Sequence, residues 1–213
     1  MPFNAWFPTL IYVAAPRLGA GATSHRWLLR DCLKVREQDR EGRRWCRKNY
    51  PGGYTSYSSI PQLHRMFSTF GALQKKLDPH VRAFARRADM DLQGGRLEMT
   101  DCWVNIMPRG ATHSLHLHPL SVISGTYYVR APGGCSQIRF EDPRLANFMG
   151  SPPRRDGARA GNRQHVYYEV RAGRAILFES WLRHEVGPNL VDAERISVSF
   201  NYGWVGAPRP GAV

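Results

Sequence analysis

A chain of 213 residues that is 42% hydrophobic and 11% aromatic buries its own core without staples and excludes a disordered polymer. No apolar run approaches the ~20 residues that span a bilayer, and Cys32, Cys46, Cys102 and Cys135 form neither a CxxC pair nor a disulfide-like spacing, which points to reduced thiols in a cytoplasmic protein. The net charge of +13 is uneven: residues 1–95 carry 16 Lys+Arg against 7 Asp+Glu, residues 96–213 carry 14 against 10. Such a balance attracts polyanions, yet the densest run, 43-RRWCRK-48, reads as the solvated end of a helix.

In chain order, the N-terminal apolar patch lacks a basic leader and is interrupted by Pro8, so it reads as an entering strand and not as a signal peptide. Ser24 is placed to cap a helix that starts at His25 and runs to the stop signal Asn49-Tyr50-Pro51-Gly52-Gly53. After Pro61, Leu63, Phe67, Phe70, Leu73, Leu77, Val81 and Phe84 recur every three or four residues, an apolar helical face. Asp78-Pro79 is expected to break this region into two helices, with Asp78 as the cap of the second. From Leu97 the segments become short, β-branched and aromatic. Strands are expected near 97–107, 113–118, 122–130, 136–141, 164–170, 174–179, 183–187 and 195–203, a number that suits a jelly roll or barrel. The Pro/Gly/Arg-rich stretch 143–162 reads as a long loop. We therefore expect one domain, 1–213, with a mainly helical subregion over 1–95 and a jelly-roll core over 96–205.

The chemistry concentrates in 113-HSLHLHP-119. Side chains alternate faces along a strand, so His116 and His118 point one way and Leu115 and Leu117 the other, toward a core or a covering helix. His113 has the opposite parity and is a bystander. A third histidine, His184, follows a buried strand in 173-GRAILFESWLRHEVGPN-189. Three such ligands form a facial site that leaves positions open on a six-coordinate ion. In 195-RISVSFNY-202, Arg195, Ser197, Ser199 and Asn201 share one face and Ile196, Val198 and Phe200 the other. A buried arginine needs an anion, and its planar fork matches a carboxylate, with Ser197 beside it. A surface pairing of Arg195 with Glu185 or Glu194 is the competing reading. Trp103 and Asn105, on the strand before the histidines, are candidates to meet a substrate, with core packing the plainer role for Trp103.

Taken together, HLHP, SGTYYV, FEDPR and FESWLRHEVGPN…RISVSFN resemble a bacterial and phage branch of the 2-oxoglutarate- and Fe(II)-dependent oxygenases, over roughly residues 97–203. The resemblance implies an α+β, mainly β fold, a cupin-like double-stranded β-helix (jelly roll) with the N-terminal helices packed on one sheet. It implies Fe(II) and 2-oxoglutarate as cofactors, His116 and His184 as metal ligands, and Arg195 with Ser197 on the distal carboxylate of the cosubstrate. Tyr128 matches a position that, in prolyl-hydroxylase-like relatives, donates a hydroxyl to that cosubstrate; Tyr127 has opposite parity, so only one of the two faces the cavity. The implied reaction is hydroxylation of a substrate C–H bond coupled to oxidative decarboxylation of 2-oxoglutarate.

One position departs from the pattern. Most of these oxygenases carry Asp or Glu two residues after the first histidine; here it is His118. Three alternatives stand: His118 is the third metal ligand, as in three-histidine cupin dioxygenases; only two histidines bind, with an extra water; or catalysis has been lost. The functional alternatives are a cupin-like metal-binding module without 2-oxoglutarate turnover, a three-histidine dioxygenase that does not use 2-oxoglutarate, and a nucleic-acid-associated protein. The expected partner is an unidentified small-molecule or protein substrate, without a membrane; oligomeric state is left open.

Overall fold

The computed structural model describes residues 3–144 and 149–206. It contains four α-helices, α1 (His25–Gln38), α2 (Arg40–Asn49), α3 (Leu63–Met66) and α4 (Ser68–Arg87), and ten strands. These are β1 (Ile11–Ala14), β2 (Tyr54–Thr55), β3 (Arg96–Met107), β4 (His113–His116), β5 (Ile123–Arg130), β6 (Ile138–Glu141), β7 (His165–Tyr168), β8 (Ala175–Glu179), β9 (His184–Val186) and β10 (Arg195–Val205). The strands build a six-stranded sheet ordered β1-β8-β5-β10-β3-β2 and a four-stranded sheet ordered β4-β9-β6-β7. Their pairings are antiparallel. The sheets face each other: Phe178 of the major sheet packs edge-on against Phe140 of the minor sheet, with ring centroids 5.0 Å apart. This is the expected jelly roll.

Period-two alternation sets what each face of the major sheet does. On β10, Ile196, Val198 and Phe200 are fully buried and join one core with Leu28, Cys32, Phe70, Leu73 and Leu77 of the helices. The helices thus cover the outer face, and polar bonds lock them there: Tyr127 Oη meets His25 Nδ1 at 2.9 Å, and Tyr202 Oη donates to Asp78 at 2.7 Å. The alternate residues, Arg195, Ser197, Ser199 and Asn201, face the space between the sheets. Gly125 of β5 permits the close approach of β10, because a Cβ there would lie 2.6 Å from the Phe200 ring and 2.7 Å from the Ile176 carbonyl oxygen.

Four local expectations need correction. Ser24 occupies the N-cap position of α1 but its side chain makes no capping bond. The single helix expected over 25–49 is two helices, divided at Asp39, whose buried carboxylate accepts from the Gly42 amide (2.8 Å), Tyr54 Oη (2.8 Å) and Ser59 Oγ (2.5 Å). Three donors on one carboxylate outweigh continuation of the helix. Asp78-Pro79 does not divide α4, which runs through Pro79; Asp78 is engaged by Tyr202 and caps nothing, and Pro79 is exposed. Finally, β4 ends at His116, short of His118, and lies at the edge of the minor sheet. Leu117, past the end of the strand, is 41% exposed and does not enter a core. Within the expected loop 143–162, residues 145–148 lie outside the described residues. Arg144 bonds bidentately to Asp142 and to the Gly161 carbonyl, which ties the two ends of this stretch together. The four cysteines are free. Among the described residues no helix is long and apolar enough to cross a membrane.

Candidate metal centre

The two strands that carry His116 and His184 are hydrogen-bonded neighbours, and the register sets these residues directly opposite one another. Cross-strand partners lie close enough for side chains to meet, and their rings sit 4.3 Å apart. His118 arrives by another route. Beyond the end of β4 its amide donates to the Ser180 carbonyl at 2.9 Å, at the turn that follows β8. That anchor turns its ring over the same point: His118 and His184 stack at 5.1 Å with an interplanar angle of 8°. One nitrogen from each of His116, His118 and His184 lies within 4.8 Å of the others. Same-face alternation named the right pair, but for His118 the cause is a backbone anchor and not strand geometry.

The tautomers follow from the partners of the other ring nitrogens. His116 Nδ1 lies 2.6 Å from the Ser114 carbonyl oxygen and His184 Nδ1 2.9 Å from the Leu182 carbonyl oxygen. A carbonyl only accepts, so both Nδ1 atoms carry hydrogen and both Nε2 atoms present a lone pair to the cluster. Such a backbone partner is how metal-binding imidazoles are oriented. Burial, then the neighbouring His116, pushes the His184 pKa down to about 2. Burial, then His116, brings His118 to about 4, with Asn201 and Asp101 opposing the shift. Burial also lowers His116. All three imidazoles are therefore neutral at pH 7, the form that binds a metal. Two nitrogens each ~2.1 Å from one ion are roughly 3.0–3.4 Å apart; His118 Nε2 and His184 Nε2 are 3.3 Å apart. The donor set fits a divalent ion.

Arg195 is 2% exposed. The carboxylates near it in sequence are engaged elsewhere, Glu194 by Arg36 and Arg130 and Glu185 by Arg139. Among the described residues Arg195 makes no ion pair, its Nε has no hydrogen-bond partner, and its Nη1 meets only the Met107 sulfur at 3.3 Å. The guanidinium lies 5.0 Å from the centre of the Tyr128 ring, and the fully buried Tyr128 hydroxyl also lacks a partner. Burial pushes that phenol up to about 12, against the lowering effect of Arg195. Ser197 pairs with Tyr128 across β5 and β10 and is equally buried. A buried guanidinium and phenol without an acceptor are donors prepared for an anion. The fork of one and the single hydroxyl of the other match a carboxylate. Tyr127 is committed to His25 on the opposite face, so of the two tyrosines Tyr128 is the one beside Arg195.

Around the site stand residues that the sequence had singled out, His113, Trp103, Asn105 and Asn201, and one that it had not, Tyr50. His113 bonds Tyr50 Oη through Nδ1 at 3.1 Å and lies 5.3 Å from the His116 ring. Burial, then His116, then Arg195, holds His113 at about 3, so it is a neutral group between the cluster and the arginine; it is not part of the three-nitrogen set. Tyr50 belongs to the turn that ends α2, and nothing in its local sequence distinguishes it. Trp103 is buried with its ring 5.7 Å from His118 and 5.0 Å from Tyr57, which makes it a wall of the site. Asn105 bonds Ser199 Oγ at 2.9 Å. Asn201 accepts from Ser124 (2.8 Å) and contacts Asp101 (3.3 Å), so the inner faces of β3, β5 and β10 form one polar surface.

Residues 101–201 match the model of the family described as "Putative 2OG-Fe(II) oxygenase", a segment that contains all three histidines and Arg195. Among solved structures, the chain is similar to a Pseudomonas putida prolyl-4-hydroxylase, with 17% identity, a TM-score of 0.60, and 93% of this chain and 94% of that one covered. It is similar to the α-ketoglutarate-dependent epimerase SnoN of nogalamycin biosynthesis (16%, TM-score 0.63, 92% and 76% covered). It is also similar to HygX from Streptomyces hygroscopicus, solved with nickel and 2-oxoglutarate bound (14%, TM-score 0.58, 92% and 83% covered). At these identities the likeness establishes the double-stranded β-helix. No curated protein sequence matches this one.

Proposed function

We propose, from the match of residues 101–201 to the 2OG-Fe(II) oxygenase family model, that this chain is a 2-oxoglutarate-dependent dioxygenase whose iron is held by three histidines, His116, His118 and His184. The observation that carries the reading is the pairing of two features on either side of His113: three neutral imidazoles converging on a point, and a buried arginine without a carboxylate. A metal-binding module without turnover accounts for the first and leaves the second unexplained. So does a three-histidine dioxygenase that ignores 2-oxoglutarate.

When bound, Fe(II) and 2-oxoglutarate supply dioxygen activation and oxidation of a substrate C–H bond, the cosubstrate ending as succinate and CO2. The rest is the work of the chain. His116 and His184 present Nε2 because Ser114 and Leu182 hold their Nδ1 hydrogens. Arg195 and Tyr128, with Ser197 beside them, grip the distal carboxylate and fix the cosubstrate's orientation. Phe140 and Phe178 pack on the buried His184 and Trp103 stands beside His118, while His116 and His118 stay partly exposed and leave a side open to substrate. Substitution of histidine for the usual carboxylate leaves the site one unit more positive, which lowers the preference for Fe(II) over Zn(II) relative to a two-histidine, one-carboxylate set.

Anaerobic addition of Fe(II) and then 2-oxoglutarate tests this directly. The expected result is a visible metal-to-ligand charge-transfer band that vanishes in Arg195→Ala. An iron-loaded protein with no band, and no succinate formed in air, overturns the reading.

A further inference from the structure

We infer that the groove bounded by α3, the second half of α4 and the start of β3 is a second binding site, for a small organic phosphate with an apolar or aromatic body. The groove encloses about 630 Å³ and shares no residue with the histidine cluster. Its volume lies within the range of small-molecule sites. Arg82 and Arg86 stand one turn apart on α4, on the same face, and Arg65 reaches in from α3; none of the three forms an ion pair among the described residues. The two carboxylates on the groove wall are already engaged, Asp78 by the Tyr202 hydroxyl and Glu98 by Arg96 at 2.5 Å. The groove is therefore net positive: Arg65, Arg82 and Arg86, none in an ion pair among the described residues, stand against one carboxylate, Asp78, whose partner is a neutral hydroxyl.

A second, independent observation lies at its floor. His64 is 8% exposed, and neither of its ring nitrogens has a hydrogen-bond partner. An imidazole so placed holds one donor and one acceptor that the protein leaves unused; both nitrogens lie beneath the groove surface, so a ligand engages them only when that surface opens. Around it are the apolar side chains of Met90, Leu97 and Met99. Guanidinium forks at the rim fit phosphate oxygens, which accept from several at once. The apolar floor with one donor and one acceptor fits a flat body with a polar edge. A single-stranded nucleic acid fits less well, because such grooves present aromatic side chains on which successive bases stack, and this lining has none besides His64.

Calorimetric titration of the full chain with AMP, phenyl phosphate and inorganic phosphate, and separately with an oligothymidylate, tests the assignment. AMP or phenyl phosphate should bind at one site per chain, about tenfold or more tighter than inorganic phosphate. The Arg82→Ala/Arg86→Ala double variant should weaken that binding about tenfold or more, the scale of a lost charge-assisted bond. His64→Gln should separate the organic phosphates from inorganic phosphate less well. Both arginines are exposed, so the double variant is expected to fold, and an unchanged circular dichroism spectrum and thermal melt verify that it has; Arg65→Ala, also exposed, repeats the test should it not. Absence of binding by both organic phosphates overturns the proposal. So does equal affinity for inorganic phosphate, unchanged affinity in the arginine variants, or tighter binding of the oligothymidylate through the same arginines.

Discussion

His118 Nε2 and His184 Nε2 lie 3.3 Å apart, on rings within 8° of parallel. His184 Nε2 carries a lone pair, since its Nδ1 hydrogen is directed at the Leu182 carbonyl. The two nitrogens therefore either share a proton donated by His118 or share a cation. Replacing His118 distinguishes these. His118→Ala should lose iron to the same degree as His116→Ala, measured as bound metal after anaerobic loading and desalting. If it retains stoichiometric iron, His118 is not a ligand. His118→Asp restores a carboxylate and should shift competition between Fe(II) and Zn(II) toward Fe(II).

The Tyr128 hydroxyl makes opposite predictions for binding and for stability. It is buried without a partner, so in the metal-free protein Tyr128→Phe removes an unsatisfied group and should be neutral or slightly stabilising in urea denaturation. With 2-oxoglutarate present the same change removes a donor and should raise the cosubstrate KM about tenfold, the scale of one hydrogen bond to a charged group. A loss of stability with an unchanged KM would place that hydroxyl outside the cosubstrate site.

The histidine pKa values imply a pH dependence for the metal-free protein. His184, His113 and His118 are held at about 2, 3 and 4, all below the ordinary imidazole value of 6.5. Below pH 6.5 the unfolded chain takes up protons that the folded chain refuses, so stability falls as pH falls. The contribution is fully present above pH 6.5 and is lost progressively as pH falls from there through about 4 for His118, about 3 for His113 and about 2 for His184. Thermal melts should be level above pH 7 and decline steeply below 6, with a shallower decline in His184→Phe. A flat profile from pH 7 to 4 would contradict the burial of these rings.

Asp39 bears the helical subregion's sharpest turn. Asp39→Ala leaves the Gly42 amide, the Tyr54 hydroxyl and the Ser59 hydroxyl without their acceptor, and should cost about 1–3 kcal/mol in chemical denaturation. Asp39→Asn, which keeps an acceptor, should cost less. Equal costs for the two would show that charge, and not the hydrogen-bond geometry, holds the turn.

Period-two alternation made much of the site legible. It separated Arg195 and Ser197 from Ile196 and Val198 before any coordinates, and it set Tyr127 and Tyr128 on opposite faces. What it did not convey depends on partners remote in sequence. His118 converges on the cluster because the Ser180 carbonyl holds its amide, a contact between turns that no local pattern encodes. Leu117 alternates as a core residue would, but the strand ends at His116 and the chain beyond it leaves Leu117 exposed. Pro79 and Asp78 read as a helix boundary; the Tyr202 hydroxyl takes the Asp78 carboxylate and the helix continues. Tyr50 is unremarkable in the sequence and His113 is set aside there by its parity, and only closure of the fold brings them between the cluster and Arg195.

The attachment of His118 to Ser180 has a dynamic corollary. An ion bound here joins the edge strand β4, the strand β9 and the turn after β8, of which β4 meets the helical layer through His113 and the Tyr50 hydroxyl at the end of α2. Occupancy then acts as a local clasp: it suppresses opening of the minor sheet's free edge while leaving the helical layer's fluctuations as they were. Amide hydrogen exchange should slow on metal loading at His116 and His184 and at the His118 amide, and remain unchanged along α1 and α4. The same clasp shields the exposed edge from pairing with another chain, so the metal-free protein should be the form more prone to associate.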